Sequence, residues 1–210
     1  MDMYLSEEER VEALQRWWKA NRSALFTGLL VGVLIITGWR GWQSHQQGLR
    51  EAASETYHRL SQAMSAKQST EAVSLATRLV EAYGQTTYAD FARLTLAKLK
   101  ADAGDFEAAR LRLEEELKQG QHPALKDVAR LRLARVHYAT GHYAEGLEQL
   151  SAAGSVSGAL KGLMEEVRGD LLAALARPSE ARAAYQAAKA EGNRSPLLDL
   201  KWHDLPATER

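Results

Sequence analysis

Residues 96–113 read LAKLKADAGDFEAARLRL, and residues 133–150 read LARVHYATGHYAEGLEQL. The two stretches lie 37 positions apart. Leu96 and Ala97 meet Leu133 and Ala134, Gly104 meets Gly141, Phe106 meets Tyr143, and Leu113 meets Leu150. Self-similarity at a fixed period of this size marks an array of stacked units. Outward from this pair, the small residues Ala72, Ala109, Gly146 and Ala181 align at spacings of 37, 37 and 35. Four positions after each stand Ala76, Leu113, Leu150 and Tyr185. Each small residue follows a turn and sits early in a helix-forming segment. Two antiparallel helices pack closely only where a small side chain lets them approach. A helical hairpin cannot cover its own apolar face, so neighbouring hairpins stack. Gly104 and Gly141 stand where one helix ends and the chain turns, which predicts positive φ at both.

The rest of the body agrees with an all-α reading. From Ser44 onward it is rich in Ala, Leu, Glu, Arg and Gln, which favour helix. No stretch alternates with period two for long enough to predict a strand. The four prolines, Pro123, Pro178, Pro196 and Pro206, interrupt no long periodic run. The pattern resembles the tetratricopeptide repeat, most closely at Leu96, Ala97, Gly104, Phe106 and Ala109, then at Leu133, Ala134, Gly141, Tyr143, Gly146 and Leu150. A fourth copy keeps Gly169, Ala181 and Tyr185, and the first is barely marked. Arg93 and Arg130 depart from the motif, standing where it prefers a large aromatic. The resemblance implies two good repeats with degenerate ones at either end as caps.

Upstream of the repeats, Ser23 to Trp39 are seventeen consecutive positions without a formal charge. As a helix they span about 25 Å, close to the hydrocarbon thickness of a bilayer. Trp17 and Trp18 precede the run, and Trp39 and Trp42 close it, so interfacial aromatics stand at both ends. Arg40 can snorkel to the head groups. A cleaved signal peptide would need small residues at its exit, and here Trp39, Arg40 and Trp42 fill that zone. The expected organisation is a cytoplasmic segment over 1–22, one transmembrane helix over 23–42, a repeat domain over 43–192 and a tail over 193–210. Arg16, Lys19 and Arg22 flank the run on one side and Arg40 on the other, which predicts the N-terminus inside the cell.

Several functions are excluded. The chain has 27 basic and 27 acidic residues, five of each before position 43, so the body carries 22 of each. That balance argues against nucleic acid as a partner. Without cysteine there is no disulfide framework and no Cys-based metal site. No phosphate loop, zincin pattern or nucleophile elbow is present. The six histidines form no metal motif, and the runs Glu114-Glu115-Glu116 and Glu165-Glu166 read as solvated helix faces. No enzyme and no cofactor are expected.

The whole-chain order adds specificity. Tyr4-Leu5-Ser6-Glu7-Glu8-Glu9 and Trp17-Trp18-Lys19-Ala20-Asn21 come first. Gly38-Trp39-Arg40-Gly41-Trp42 ends the apolar run, and Pro196-Leu197-Leu198-Asp199-Leu200-Lys201 follows the repeats. This arrangement resembles the ancillary SecYEG translocon subunit family, also called the YfgM family. The resemblance implies a bacterial inner-membrane protein with a periplasmic repeat domain. It also implies two partners: the SecYEG channel and a membrane-anchored periplasmic chaperone of the prolyl-isomerase type, PpiD. A repeat scaffold serving cell-wall synthesis or division is the alternative.

Three surfaces are candidates for binding. Ala24, Gly28 and Gly32 recur every four residues and present a smooth face to another membrane helix, although glycine is also common in such spans. Ser6 to Asn21 reads as an amphipathic helix opened by a Ser6/Glu9 capping box, either lying at the interface or leading into the span. In the tetratricopeptide arrangement first helices line the concave side. This places Phe91, Lys98, Arg135 and Tyr138 there as partner contacts, together with Leu94, Val128 and Leu131, for which packing against the next repeat accounts equally well.

Overall fold

A computed structural model of the chain describes residues 7–154, 156 and 158–206. Among these residues all regular structure is helical: α1 (Glu7–Ser65), α2 (Ser69–Ala82), α3 (Thr87–Asp102), α4 (Phe106–Gln119), α5 (Pro123–Ala139), α6 (Tyr143–Ser151), α7 (Gly158–Ala174), α8 (Pro178–Ala190) and α9 (Pro196–His203). The chain divides into two compact units, one reaching to Leu49 and one beginning at Arg50.

The first unit is the N-terminal part of α1. It contains a stretch long and apolar enough to cross a membrane, with its side chains exposed. Inside this stretch the Thr37 hydroxyl donates to the Val33 carbonyl at 2.8 Å. A polar side chain in an apolar helix is thereby satisfied by its own backbone. The Ser6 capping position lies outside the described residues.

The second unit is a stack of hairpins. Ala53, Leu60 and Ala63 of α1 pack on Ala72, Leu75, Ala76 and Leu79 of α2, with Ala92 and Leu96 of α3 closing the seam. The same plan repeats with α3, α4 and α5 around Leu113 and Leu133, then with α5, α6 and α7 around Leu150 and Leu171. The last cluster joins α7 and α8 and is closed by Leu198 of α9. Each hairpin thus shares its core with the first helix of its successor, which is how a quasi-one-dimensional array buries apolar surface. The segment from Pro196 supplies that closing helix. Lys201 bridges Glu166 and Asp170 of α7 at 2.8 Å each, and Arg182 of α8 donates to the carbonyls of Leu205 and Pro206.

The aligned small positions Ala72, Ala109, Gly146 and Ala181 are all buried, as are Ala76, Leu113, Leu150 and Tyr185 four residues on. A Cβ on Gly146 would come within 2.8 Å of Leu171 Cδ2, and one on Gly169 would overlap the ring of Tyr185. These glycines are contact surfaces for the facing helix. Proline opens α5, α8 and α9 at the first helical turn, where its missing N–H is no loss.

The hairpin turns obey one rule. Gly104 and Gly141 have φ of +77° and +81°, the conformation expected from sequence. Lys67 and Ala176 occupy the equivalent positions of the other two turns with φ of +56° each. In all four, the next residue donates its N–H back to a carbonyl five positions earlier: Gln68 to Ala63, Asp105 to Lys100, His142 to His137 and Arg177 to Leu172, each at 2.9 Å. This is the Schellman closure of a helix, and the donating residue is at once the N-cap of the following helix.

Candidate functional site

Within the repeat unit, α3 packs on α5 and α5 on α7, so the first helices of successive hairpins form a continuous row. A cavity of roughly 320 Å³ lies along this row between α3 and α5. Its floor is Ala97, Ala101, Phe106, Leu113 and Val136, and its rim is Lys98, Asp102, Arg132 and Arg135. The floor is apolar because Ala97, Leu113 and Val136 belong to the shared core, and the alanines leave the room that a larger side chain would fill.

Of the four residues expected to contact a partner, Lys98 and Arg135 meet on this rim. Lys98 is exposed and pairs with Asp102 at 2.5 Å. Arg135 is exposed and makes no hydrogen bond or ion pair among the described residues. Arg132, which sequence reasoning passed over, completes the rim and donates to the Leu94 carbonyl at 2.9 Å. Burial and the neighbouring Arg135 charge hold the Arg132 guanidinium below its ordinary pKa. Phe91 and Tyr138 do not line the cavity. Phe91 is half-buried against Tyr57, with ring centroids 5.6 Å apart, and Tyr138 is exposed with its ring 5.7 Å from Tyr143. Leu94 and Leu131 are buried in the cores between hairpins, and Val128 is half-buried against one.

In the first unit, Ala24 and Gly28 share a shallow groove with Trp18, Leu25, Phe26 and Leu29. A Cβ on Gly28 or Gly32 would meet nothing within 4 Å, so this side of the helix is open. Trp17 and Trp18 at one end and Trp39, Arg40 and Trp42 at the other are exposed. Trp39 and Trp42 lie 5.5 Å apart, and Trp18 stands edge-on to Phe26 at 6.3 Å.

One expectation is corrected. The run Glu114-Glu115-Glu116 is not a solvated face throughout: Glu116 is 0% exposed. It falls on the inward stripe of α4 with Ala109 and Leu113, at i, i+4 and i+7. Its partner is Arg93, 1% exposed, whose Nη1 donates to Asp90 at 3.0 Å and Glu116 at 3.4 Å while Nη2 reaches the Gly84 carbonyl at 3.1 Å. The second Asp90 oxygen accepts from the Gln121 N–H at 2.9 Å and the His122 N–H at 3.3 Å. Gly120 is obligatory beside this cluster, since a Cβ there would collide with Glu116. Glu166 in the second acidic run is likewise half-buried, held by Lys201 and by Asn193.

No group of three or more His, Asp and Glu residues able to hold a metal is found among the described residues. His137 and His142 meet edge-on at 6.2 Å, and His142 is taken up by the Thr140 hydroxyl at 2.9 Å.

Comparison with known proteins places this geometry. Residues 15–207 match a family described as a tetratricopeptide repeat-like domain. The ancillary SecYEG translocon subunit of Escherichia coli (strain K12) is 31% identical over 89% of this chain and 89% of its own length. The protein of that name from Haemophilus influenzae is 30% identical over 81% of this chain and 85% of its own, and that from Aggregatibacter actinomycetemcomitans is 27% identical over 70% and 72%. No solved structure matches the chain. With its hairpin stack and apolar helix matched along nearly the full length, the chain belongs to the ancillary SecYEG translocon subunit family and has a tetratricopeptide repeat-like body.

Proposed function

We propose that this protein is a non-catalytic, single-pass scaffold of the bacterial inner membrane that associates with the SecYEG channel and holds a membrane-anchored chaperone of the PpiD type beside it. The observation that carries the reading is the match over most of the chain to relatives named ancillary SecYEG translocon subunit, in a chain that joins one apolar helix to a hairpin stack. The excess of Arg16, Lys19 and Arg22 over Arg40 supports an N-terminus in the cytosol and a repeat body on the periplasmic face. The open Ala24, Gly28 and Gly32 side would meet a partner's membrane helix, and the row of first helices would meet a soluble partner.

Affinity purification of the tagged full chain from a mild detergent extract tests this reading. Recovery of SecYEG together with the chaperone is the expected result. Recovery of cell-wall enzymes in place of SecYEG would overturn it in favour of another envelope scaffold. A C-terminal alkaline phosphatase fusion is expected to be active, and a fluorescent C-terminal green fluorescent protein fusion would reverse the orientation.

A further inference from the structure

We propose that the turn joining the second and third hairpins is a proton-operated hinge, which Glu116 keeps closed on α3 while protonated and releases when it ionises. The inference is independent of the scaffold reading, and its test does not involve SecYEG. Gln121 and His122 of this turn are exposed, and one buried carboxylate ties them to α3. Asp90 Oδ2 accepts the backbone N–H of Gln121 at 2.9 Å and that of His122 at 3.3 Å. It also lies 3.1 Å from His122 Nδ1, and the other ring nitrogen is 3.2 Å from the Thr87 hydroxyl. Asp90 Oδ1 is fixed by Arg93 Nη1 at 3.0 Å, and Glu116 shares that same nitrogen at 3.4 Å. Glu116 Oε1 makes no hydrogen bond among the described residues, so it is the oxygen left to carry a proton.

Charge counting gives the switch its direction. With Glu116 neutral, Arg93 and Asp90 balance. With Glu116 ionised, one guanidinium faces two buried carboxylates, and a net negative charge is held out of water at a cost. The other charged groups around Glu116 are Glu115 beside it on α4, 3.8 Å from Arg93, and Lys126 on α5. His122 meets the cluster through Asp90. Burial and the Asp90 charge raise the Glu116 carboxyl to about 7, outweighing Arg93 and Lys126. The closed turn therefore favours the proton, and closure weakens as pH rises from the ordinary Glu range through about 7. Relief and opening are mechanically one event. The Gly120 N–H donates to the Glu116 carbonyl at 2.8 Å, so the end of α4 and the turn move together. Bringing the Glu116 carboxylate to water lifts the turn and breaks the bonds to Asp90.

Packing does not require this acid. Thirty-seven residues on, Arg130 and Asp127 repeat the pair of Arg93 and Asp90 at 3.0 Å, but Ala153 stands in place of Glu116 and packs on the core of its repeat. The chain thus holds an apolar solution to the same joint, and the carboxyl at 116 adds only sensitivity to protons.

Hydrogen–deuterium exchange of the full chain in dodecylmaltoside micelles, read by mass spectrometry and corrected for the intrinsic pH dependence, tests the hinge. Protection over residues 117–126 is expected to fall about tenfold between pH 5.5 and pH 8, while residues 159–174 of α7 change several-fold less. Glu116→Gln keeps an acceptor for Arg93 and is expected to hold the turn closed at both pH values. Glu116→Ala, which copies the next repeat, should likewise remove the pH response. Protection at 117–126 that does not change with pH overturns the hinge. So does a fall of equal size in α7, which would mean loosening of the whole stack. A fall that survives Glu116→Gln overturns it too, by assigning the titration to another group such as His122.

Discussion

At Arg93 the chain buries a guanidinium between two carboxylates in the joint of its second hairpin. Burial and the Asp90 charge push the Glu116 carboxyl up to about 7, against the pull of Arg93 and Lys126. A carboxyl raised above its unfolded value binds its proton more tightly when folded. Stability therefore falls as pH rises from the ordinary Glu range through about 7, and levels off above it. Thermal melts of the full chain in micelles are expected to show a midpoint lower at pH 8 than at pH 5.5. Glu116→Gln should flatten that dependence and raise the pH 8 midpoint by about 2–4 °C. An unchanged pH slope in the variant would place the titrating group elsewhere. Arg93→Met should instead leave two buried carboxylates facing each other and lose about 3–5 kcal/mol. Sequence showed Arg93 only as a departure from the aromatic that the motif prefers. The equivalent Arg130 pairs with Asp127 in the same i, i+3 way, but is only half-buried. What tells the two apart is Glu116, and a run of three glutamates conceals which member lies on the inward stripe. Helical phase gives the answer once Ala109 and Leu113 are used as markers.

At the scale of the element, the four hairpin turns share one backbone conformation but not one residue. Gly104 and Gly141 accept positive φ freely, while Lys67 and Ala176 carry a Cβ in a region L-residues avoid. Lys67→Gly and Ala176→Gly are therefore expected to stabilise by about 0.5–1 kcal/mol each, the relief of strain being partly offset by a looser unfolded chain. Gly104→Ala and Gly141→Ala should cost about 1 kcal/mol each, although nothing lies within 4 Å of the new methyl. Chemical denaturation of the four variants checks this, and opposite signs for the two pairs are the required outcome. The helix-facing glycines follow a different rule. Gly169→Ala should destabilise more than Gly146→Ala, since the Tyr185 ring cannot yield as the end of Leu171 can, within an overpacking range of about 1–3 kcal/mol. All four turns were legible from the aligned small residues, and the positive φ at 104 and 141 was legible because glycine advertises it. The positive φ at 67 and 176 was not, because tertiary packing of the hairpin imposes the conformation on residues whose own preference opposes it.

At the scale of the whole molecule, two kinds of solvent act on one chain. The repeat unit buries its apolar residues against itself, hairpin by hairpin, and α9 covers the last seam with Leu198. The apolar stretch of α1 exposes Leu29, Leu30, Leu34, Ile35 and Ile36 on its surface, which is stable only in lipid or against another apolar helix. This division was readable from composition alone, since an uncharged run of that length contrasts with a body that places charge on every helix. The cavity on the row of first helices was half readable: Lys98 and Arg135 share its rim, while Arg132 and the space beneath them emerge only when α3 and α5 are set side by side. Association between helices in lipid depends on close packing, since the surrounding tails are as apolar as the side chains. Gly28 and Gly32 present bare backbone on an open side of α1, so Gly28→Leu with Gly32→Leu would fill that side without disturbing the helix itself. The double variant is expected to resist extraction by alkaline carbonate as wild type does, because the apolar length is unchanged or greater. Its recovery of SecYEG from detergent is expected to fall several-fold. Full recovery would assign the contact to the repeat unit, and a variant that washes from the membrane would show that the span had been wrongly located.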